Sequence, residues 1–111
     1  MSGAVSIDYR GALEAVERIL NRGGEPDVVL QEVLEALRAR GVASAKVRFA
    51  DNGRFVDGPS IGGKAERMVS PVLYEGAEVG SLELAVNDVA FAERVAILVS
   101  PYVVRRETGS R

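Results

Sequence analysis

The sequence contains no cysteine, no histidine and no tryptophan, and only three tyrosines and three phenylalanines. Without cysteine there is no disulfide, thiolate nucleophile, Cys-ligated zinc or iron-sulfur cluster, and no thioether-linked chromophore. Without histidine the commonest general base and the commonest transition-metal ligand are missing too, which leaves carboxylates, lysines and tyrosines for such work. On these grounds the residues predict a protein that is not an enzyme and has no cofactor or metal. Charge of one sign is also lacking: fourteen basic against sixteen acidic residues give a net charge of -2. No whole-domain positive field exists to attract nucleic acid or an anionic membrane, so neither partner is expected. No apolar run approaches the roughly 20 residues that span a bilayer, and the first residues lack a basic segment followed by an apolar one. The expected location is the cytoplasm.

What is present fits one domain over residues 1–111, long enough to bury a core without covalent staples. Between residues 7 and 20, Tyr9, Leu13, Val16 and Leu20 recur at helical spacing, with Asp8 as the opening residue and Asn21-Arg22-Gly23-Gly24 as the stop. Glu25-Pro26-Asp27 starts a second helix, to about Arg40, with Leu30, Val33, Leu34 and Leu37 on its apolar face and Gly41 at its end. From 44 to 50, Ala45, Val47 and Phe49 alternate with Lys46 and Arg48, the period of a strand with one buried face. Asp51-Asn52-Gly53 is a turn into a short strand over 54–57, and the glycine-rich 58–64 reads as a loop.

The stretch from Met68 to Val86 reads as two apolar strands folded back at Glu75-Gly76-Ala77-Glu78. Pro71 cannot donate to a ladder, so the first of these strands belongs at an edge or at a bulge. The second is apolar on both alternations except at Ser81 and Glu83, which suits a central strand. A last helix follows the Asn87-Asp88 cap; Pro101 should kink it, and 105–111 read as a polar tail with the folded part ending at 104. Helix, helix, four strands and helix imply an α+β fold, an antiparallel sheet of about four to five strands with the terminal helices on one face.

This order, together with Ser70-Pro71-Val72-Leu73-Tyr74-Glu75-Gly76-Ala77-Glu78-Val79-Gly80-Ser81-Leu82-Glu83-Leu84, resembles the GAF domain family, whose fold is profilin-like. The resemblance extends to 29–51 and 88–102. The long lid that typical members carry between the second strand and this hairpin is here reduced to residues 59–67. The Asn-Lys-x-Phe-Asp-Glu type signature of cyclic-nucleotide-binding members has no counterpart, and the cysteine or histidine needed for bilin, haem or methionine-sulfoxide chemistry is absent. The resemblance implies a regulatory or signalling domain that dimerises through its terminal helices.

Three candidate features follow. Gly58 to Ala65 has the spacing of a phosphate-binding P-loop but carries Ala65 where Ser or Thr would hold magnesium, so a plain connection is the better reading. Arg54, Lys64 and Arg67 are candidates for a small anion site over the sheet, set against solvated loop charges. A second stripe on the last helix, Ala92, Ala96, Val99 and Val103, could face Leu13, Val16 and Leu20 of a partner copy, or be core. The function these readings favour is a non-catalytic, homodimeric interaction module. The alternative is a small-molecule or anion sensor with a shallow pocket between the sheet and the 58–67 loop.

Overall fold

The structure, a computed structural model, describes residues 6–109, with side chains as far as Val104. The elements in order are α1 (Tyr9–Arg22), α2 (Pro26–Ala39), β1 (Ser44–Asp51), β2 (Arg54–Gly62), β3 (Met68–Tyr74), β4 (Ala77–Leu84) and α3 (Val89–Gly109). The four strands form one antiparallel sheet in the order β2-β1-β4-β3.

Local chemistry sets most of the boundaries. Asp8 caps α1 by accepting the Gly11 N–H at 3.0 Å, and Asp88 does the same for α3 with Phe91 N–H at 3.0 Å. Pro26 opens α2, where its missing N–H costs nothing. Both hairpins close on two residues with positive φ, Asn52-Gly53 (52° and 84°) and Glu75-Gly76 (52° and 84°), the backbone of a primed turn that matches strand twist.

Alternation along the strands then sorts the side chains. Ala45, Val47 and Phe49 of β1 and Leu82 and Leu84 of β4 face α2 and α3 and are buried. α1 packs on α2 and α3 rather than on the sheet, so the helices make two layers on one face. Its Ala12 and Val16 enter the core, and the Tyr102 hydroxyl on α3 donates to the Leu20 carbonyl at 3.0 Å, satisfying an acceptor near the end of α1. Pro101 lies inside α3 and cannot supply the N–H that the Ile97 carbonyl would receive. The Ser100 hydroxyl takes its place, donating to Ile97 O at 2.9 Å.

Three expectations are corrected here. The stretch 58–62 is strand rather than loop, because β2 is an edge strand and tolerates Pro59. The register between β1 and β2 slips between Lys46 and Arg48, so Gly58 and Pro59 together oppose Val47 in a bulge. Gly58 is required there by space and not by turning: a Cβ would overlap the Phe49 ring and come within 2.8 Å of the Val47 carbonyl oxygen. A strand at this place also removes the P-loop spacing from consideration, since no helix follows it. Finally, α3 continues through 105–109, where a tail was expected; residues 110 and 111 lie outside the described residues.

The second stripe of α3 is core. Ala92, Ala96, Val99 and Val103, with Val16 of α1, are each at most 2% exposed within the single chain, and Leu13 and Leu20 are half-buried against the same core. This stripe is covered from within the chain, Val103 lying against Gly80 of β4, while α1 meets α3 through Phe91 and Tyr102. Ala92, Ala96, Val99, Val103 and Val16 therefore offer no partner a surface, and the dimer contact expected through them is corrected.

Candidate functional site

The face of the sheet turned away from the helices is open, and the register gives its layout. The residues of β1 that alternate with the core, Lys46 and Arg48, stand on this face, opposite Glu83 and Ser81 of β4. On the flanks Asp57 of β2 lies opposite Arg48, and Val69 and Pro71 of β3 lie opposite Glu83 and Ser81. One row across the sheet is therefore Asp57, Arg48, Ser81, Pro71, and the row beside it is Ser60, Lys46, Glu83, Val69.

The middle of this face is an ion-pair network. Asp57 Oδ1 lies 3.2 Å from Lys46 Nζ and 3.3 Å from Arg48 Nε. Glu83 lies 3.5 Å from Arg48 Nε and 3.7 Å from Arg67 Nη1. Arg48 Nε thus sits between two carboxylates with neither aligned as a hydrogen-bond acceptor. Glu83 is the most enclosed member, its side chain 16% exposed against 39% for Arg48. Pairs this open to water each contribute only about 0–1 kcal/mol, so stability alone is a weak reason for five charges to share one face.

Two clefts flank the network. At the hairpin-tip end a cleft of about 270 Å³ is lined by Ala50, Gly53, Arg54, Phe55 and Glu78. At the other end one of about 540 Å³ is lined by residues 66–68 and 85–87. The second owes its shape to topology. Strands β2 and β3 occupy opposite edges, so residues 63–67 must cross the ends of β1 and β4, three inter-strand spacings or about 14 Å. The six steps from Gly62 to Met68 reach about 20 Å at full extension, which leaves a strap and no lid.

The anion-site candidates are placed apart by this arrangement. Arg54 pairs with Asp51 at the tip, whereas Arg67 precedes Met68 at the strap end, about 20 Å away along the strands. Lys64 lies on the strap and lines neither cleft. Of the three, only Arg67 joins the network. Lys46, Arg48, Asp57 and Glu83 were not singled out from the sequence; the signal available was the polar pair Ser81 and Glu83 on one alternation of a strand apolar on the other, beside two cations on one alternation of β1. Among the described residues no group of His, Cys, Asp or Glu side chains could hold a metal ion, and no helix is long and apolar enough to cross a membrane.

Neither a family model nor a curated protein sequence matches the chain. Solved structures do. The chain is similar to a GAF domain from an Acinetobacter phosphoenolpyruvate-protein phosphotransferase, at 13% identity over 97% of both chains with a TM-score of 0.71. The fold is GAF-like. Two further structures similar to this GAF-like chain are enzymes bound to substrate. One is free methionine-R-sulfoxide reductase from Neisseria meningitidis, 13% identical over 97% of this chain and 99% of that one, TM-score 0.74. The other is fRMsr of Staphylococcus aureus, 8% identical over 92% and 99%, TM-score 0.76. At such identities the likeness carries the fold alone. It nevertheless corrects the expectation of a non-catalytic module and of no enzyme: this architecture houses catalysis, so the missing cysteine and histidine restrict the available chemistry rather than exclude it.

Proposed function

We propose that this GAF-like domain is a small-molecule-binding domain whose ligand rests on the open face of the sheet, over Lys46, Arg48 and Glu83. The observation that carries the reading is the five-member charge network gathered there by three different strands and the strap. A purely structural sheet face needs no such concentration of half-enclosed charge, whereas a ligand platform uses it to fix the orientation of a polar group. Two proteins of similar fold were solved with their substrates bound, which favours a small molecule over a macromolecular partner. Lysine and glutamate at the floor are also groups able to move protons, so the reading accommodates turnover.

The test is a two-dimensional NMR titration of the isotope-labelled chain with a panel of small anions, cations and zwitterions, methionine sulfoxide included. The expected result is saturable shifts confined to residues 46–48, 57, 67–73 and 81–83. Shifts confined to the helical layers, or none with any member of the panel, would overturn the reading.

A further inference from the structure

Resting on that reading, we infer that the ligand is a monocarboxylate with an apolar tail, and not a free amino acid. Charge comes first. The network holds three cations, Lys46, Arg48 and Arg67, against two carboxylates, Asp57 and Glu83, which leaves one positive charge unmatched. At the strap end Lys64 is matched by Glu66, and at the hairpin-tip end Arg54 is outnumbered by Asp51, Glu75 and Glu78, so the positive surplus belongs to the network alone.

Geometry locates the unmatched charge. Both carboxylates approach Arg48 at Nε, and its two terminal nitrogens donate no hydrogen bond to any described residue. A guanidinium held by one nitrogen with its fork free is suited to a planar carboxylate, which it binds through two parallel N–H···O bonds. Ser81, directly across from Arg48 and 5% exposed, adds a hydroxyl that no other described residue engages. Beyond Ser81 the face becomes apolar: Val69 (60% exposed), Pro71 and Leu73 (54% exposed) line up along β3. This strip continues over the sheet edge into a cleft of about 220 Å³ bounded by Ser70, Leu73, Glu93 and Ile97. A carboxylate on Arg48 therefore points its tail at a waiting apolar track.

The same arrangement disfavours an α-amino acid. An ammonium group beside the carboxylate needs an acceptor, and each of the two carboxylates is already shared between two cations. Adding a third cation to that set would place like charges together.

Hexanoate, norleucine and hexylamine share one short alkyl chain and differ in charge, and they are the probes. In NMR titrations of the full chain hexanoate should give saturable shifts at Arg48, Ser81 and Leu73, norleucine at least tenfold weaker ones, and hexylamine none. Arg48→Gln should weaken hexanoate binding about ten- to a hundredfold, the loss of charge-assisted hydrogen bonds. Arg48→Lys, which keeps the charge but not the fork, guards against a variant that fails to fold and should also weaken binding. Leu73→Asn should reduce the affinity for hexanoate more than that for acetate. If norleucine binds as tightly as hexanoate on the same residues, the ligand class is wrong while the small-molecule site stands. Hexanoate affinity unchanged in both Arg48 variants, or no binding of hexanoate, would overturn the inference; failure of the whole panel would remove the site as well.

Discussion

Ser100 and Pro101 allow the helix that carries much of the core to be tested at one hydrogen bond. Replacing Ser100 with alanine removes the donor that reaches Ile97 O at 2.9 Å, and Pro101 has none to offer instead. The lost bond costs about 1–1.5 kcal/mol, from which the better helix propensity of alanine returns about 0.5 kcal/mol. The net destabilisation is about 0.5–1 kcal/mol, a fall in melting temperature of roughly 2–8 °C for a domain of this size. In a Pro101→Ala background a backbone N–H is restored and Ile97 O regains its ordinary partner. There Ser100→Ala should be neutral or stabilising by about 0.5 kcal/mol. The double-mutant cycle, read by chemical denaturation of the four proteins, should thus give a coupling of about 1 kcal/mol. Equal effects of Ser100→Ala in the two backgrounds would show that the serine does not stand in for the missing donor.

Three further outcomes are expected. Val99→Glu puts a carboxylate where the single chain is 1% exposed, at a cost of several kcal/mol, and should abolish cooperative unfolding rather than alter subunit number; a folded variant seen by circular dichroism and sizing would contradict the placement of that stripe in the core. Asp8 accepts the Gly11 N–H and faces Arg40 at 3.0 Å, which holds its carboxyl below the usual range. Its contribution to stability is therefore full above about pH 4 and is lost as pH falls through the lower folded value, so the gap in melting temperature between wild type and Asp8→Asn should shrink from pH 6 to pH 3. A gap independent of pH would remove the charge from the explanation. Gly58→Ala forces a methyl onto the Phe49 ring and should cost about 1–3 kcal/mol while moving Asp57 relative to Arg48, seen as altered Arg48 resonances; unchanged stability would mean that the bulge gives way freely.

Much of this fold is written in short-range chemistry. Asp8, Pro26, Asp88 and the Asn52-Gly53 and Glu75-Gly76 turns act on their own neighbours, and the elements they bound lie where the sequence places them. Pro71 indicated an edge or a bulge, and the edge is what the fold provides: β3 is an edge strand, Pro71 pairs regularly with Ser81, and the slip between Val72 and Leu73 leaves the extra residue, Val79, on β4. What was not legible depended on distant partners. Gly58-Pro59 has the composition of a loop, and only the Phe49 ring and the Val47 carbonyl across the ladder make it a bulged strand. The stripe from Ala92 to Val103 has the spacing of a buried helix face, and periodicity cannot say whether the covering surface belongs to the same chain. Here it does, since the whole stripe is buried within the single chain and Val103 lies against Gly80 of β4. The charged face is the least local of all: Lys46 and Arg48 could be assigned to one side of a strand, but their meeting with Asp57, Glu83 and Arg67 depends on the order of four strands.

The strap over the sheet ends makes chain length an unequal variable. Shortening residues 63–67 by two would leave four steps, about 14 Å at full stretch, equal to the width that must be crossed, so the edges could no longer both be held. Lengthening it is almost free, since doubling a flexible loop costs only about 0.6 kcal/mol. Deletions here are closed to the domain and insertions are open. An inserted segment would emerge beside Arg67, at the rim of the charged face, where a graft could be selected for covering that face without any other part of the fold having to change.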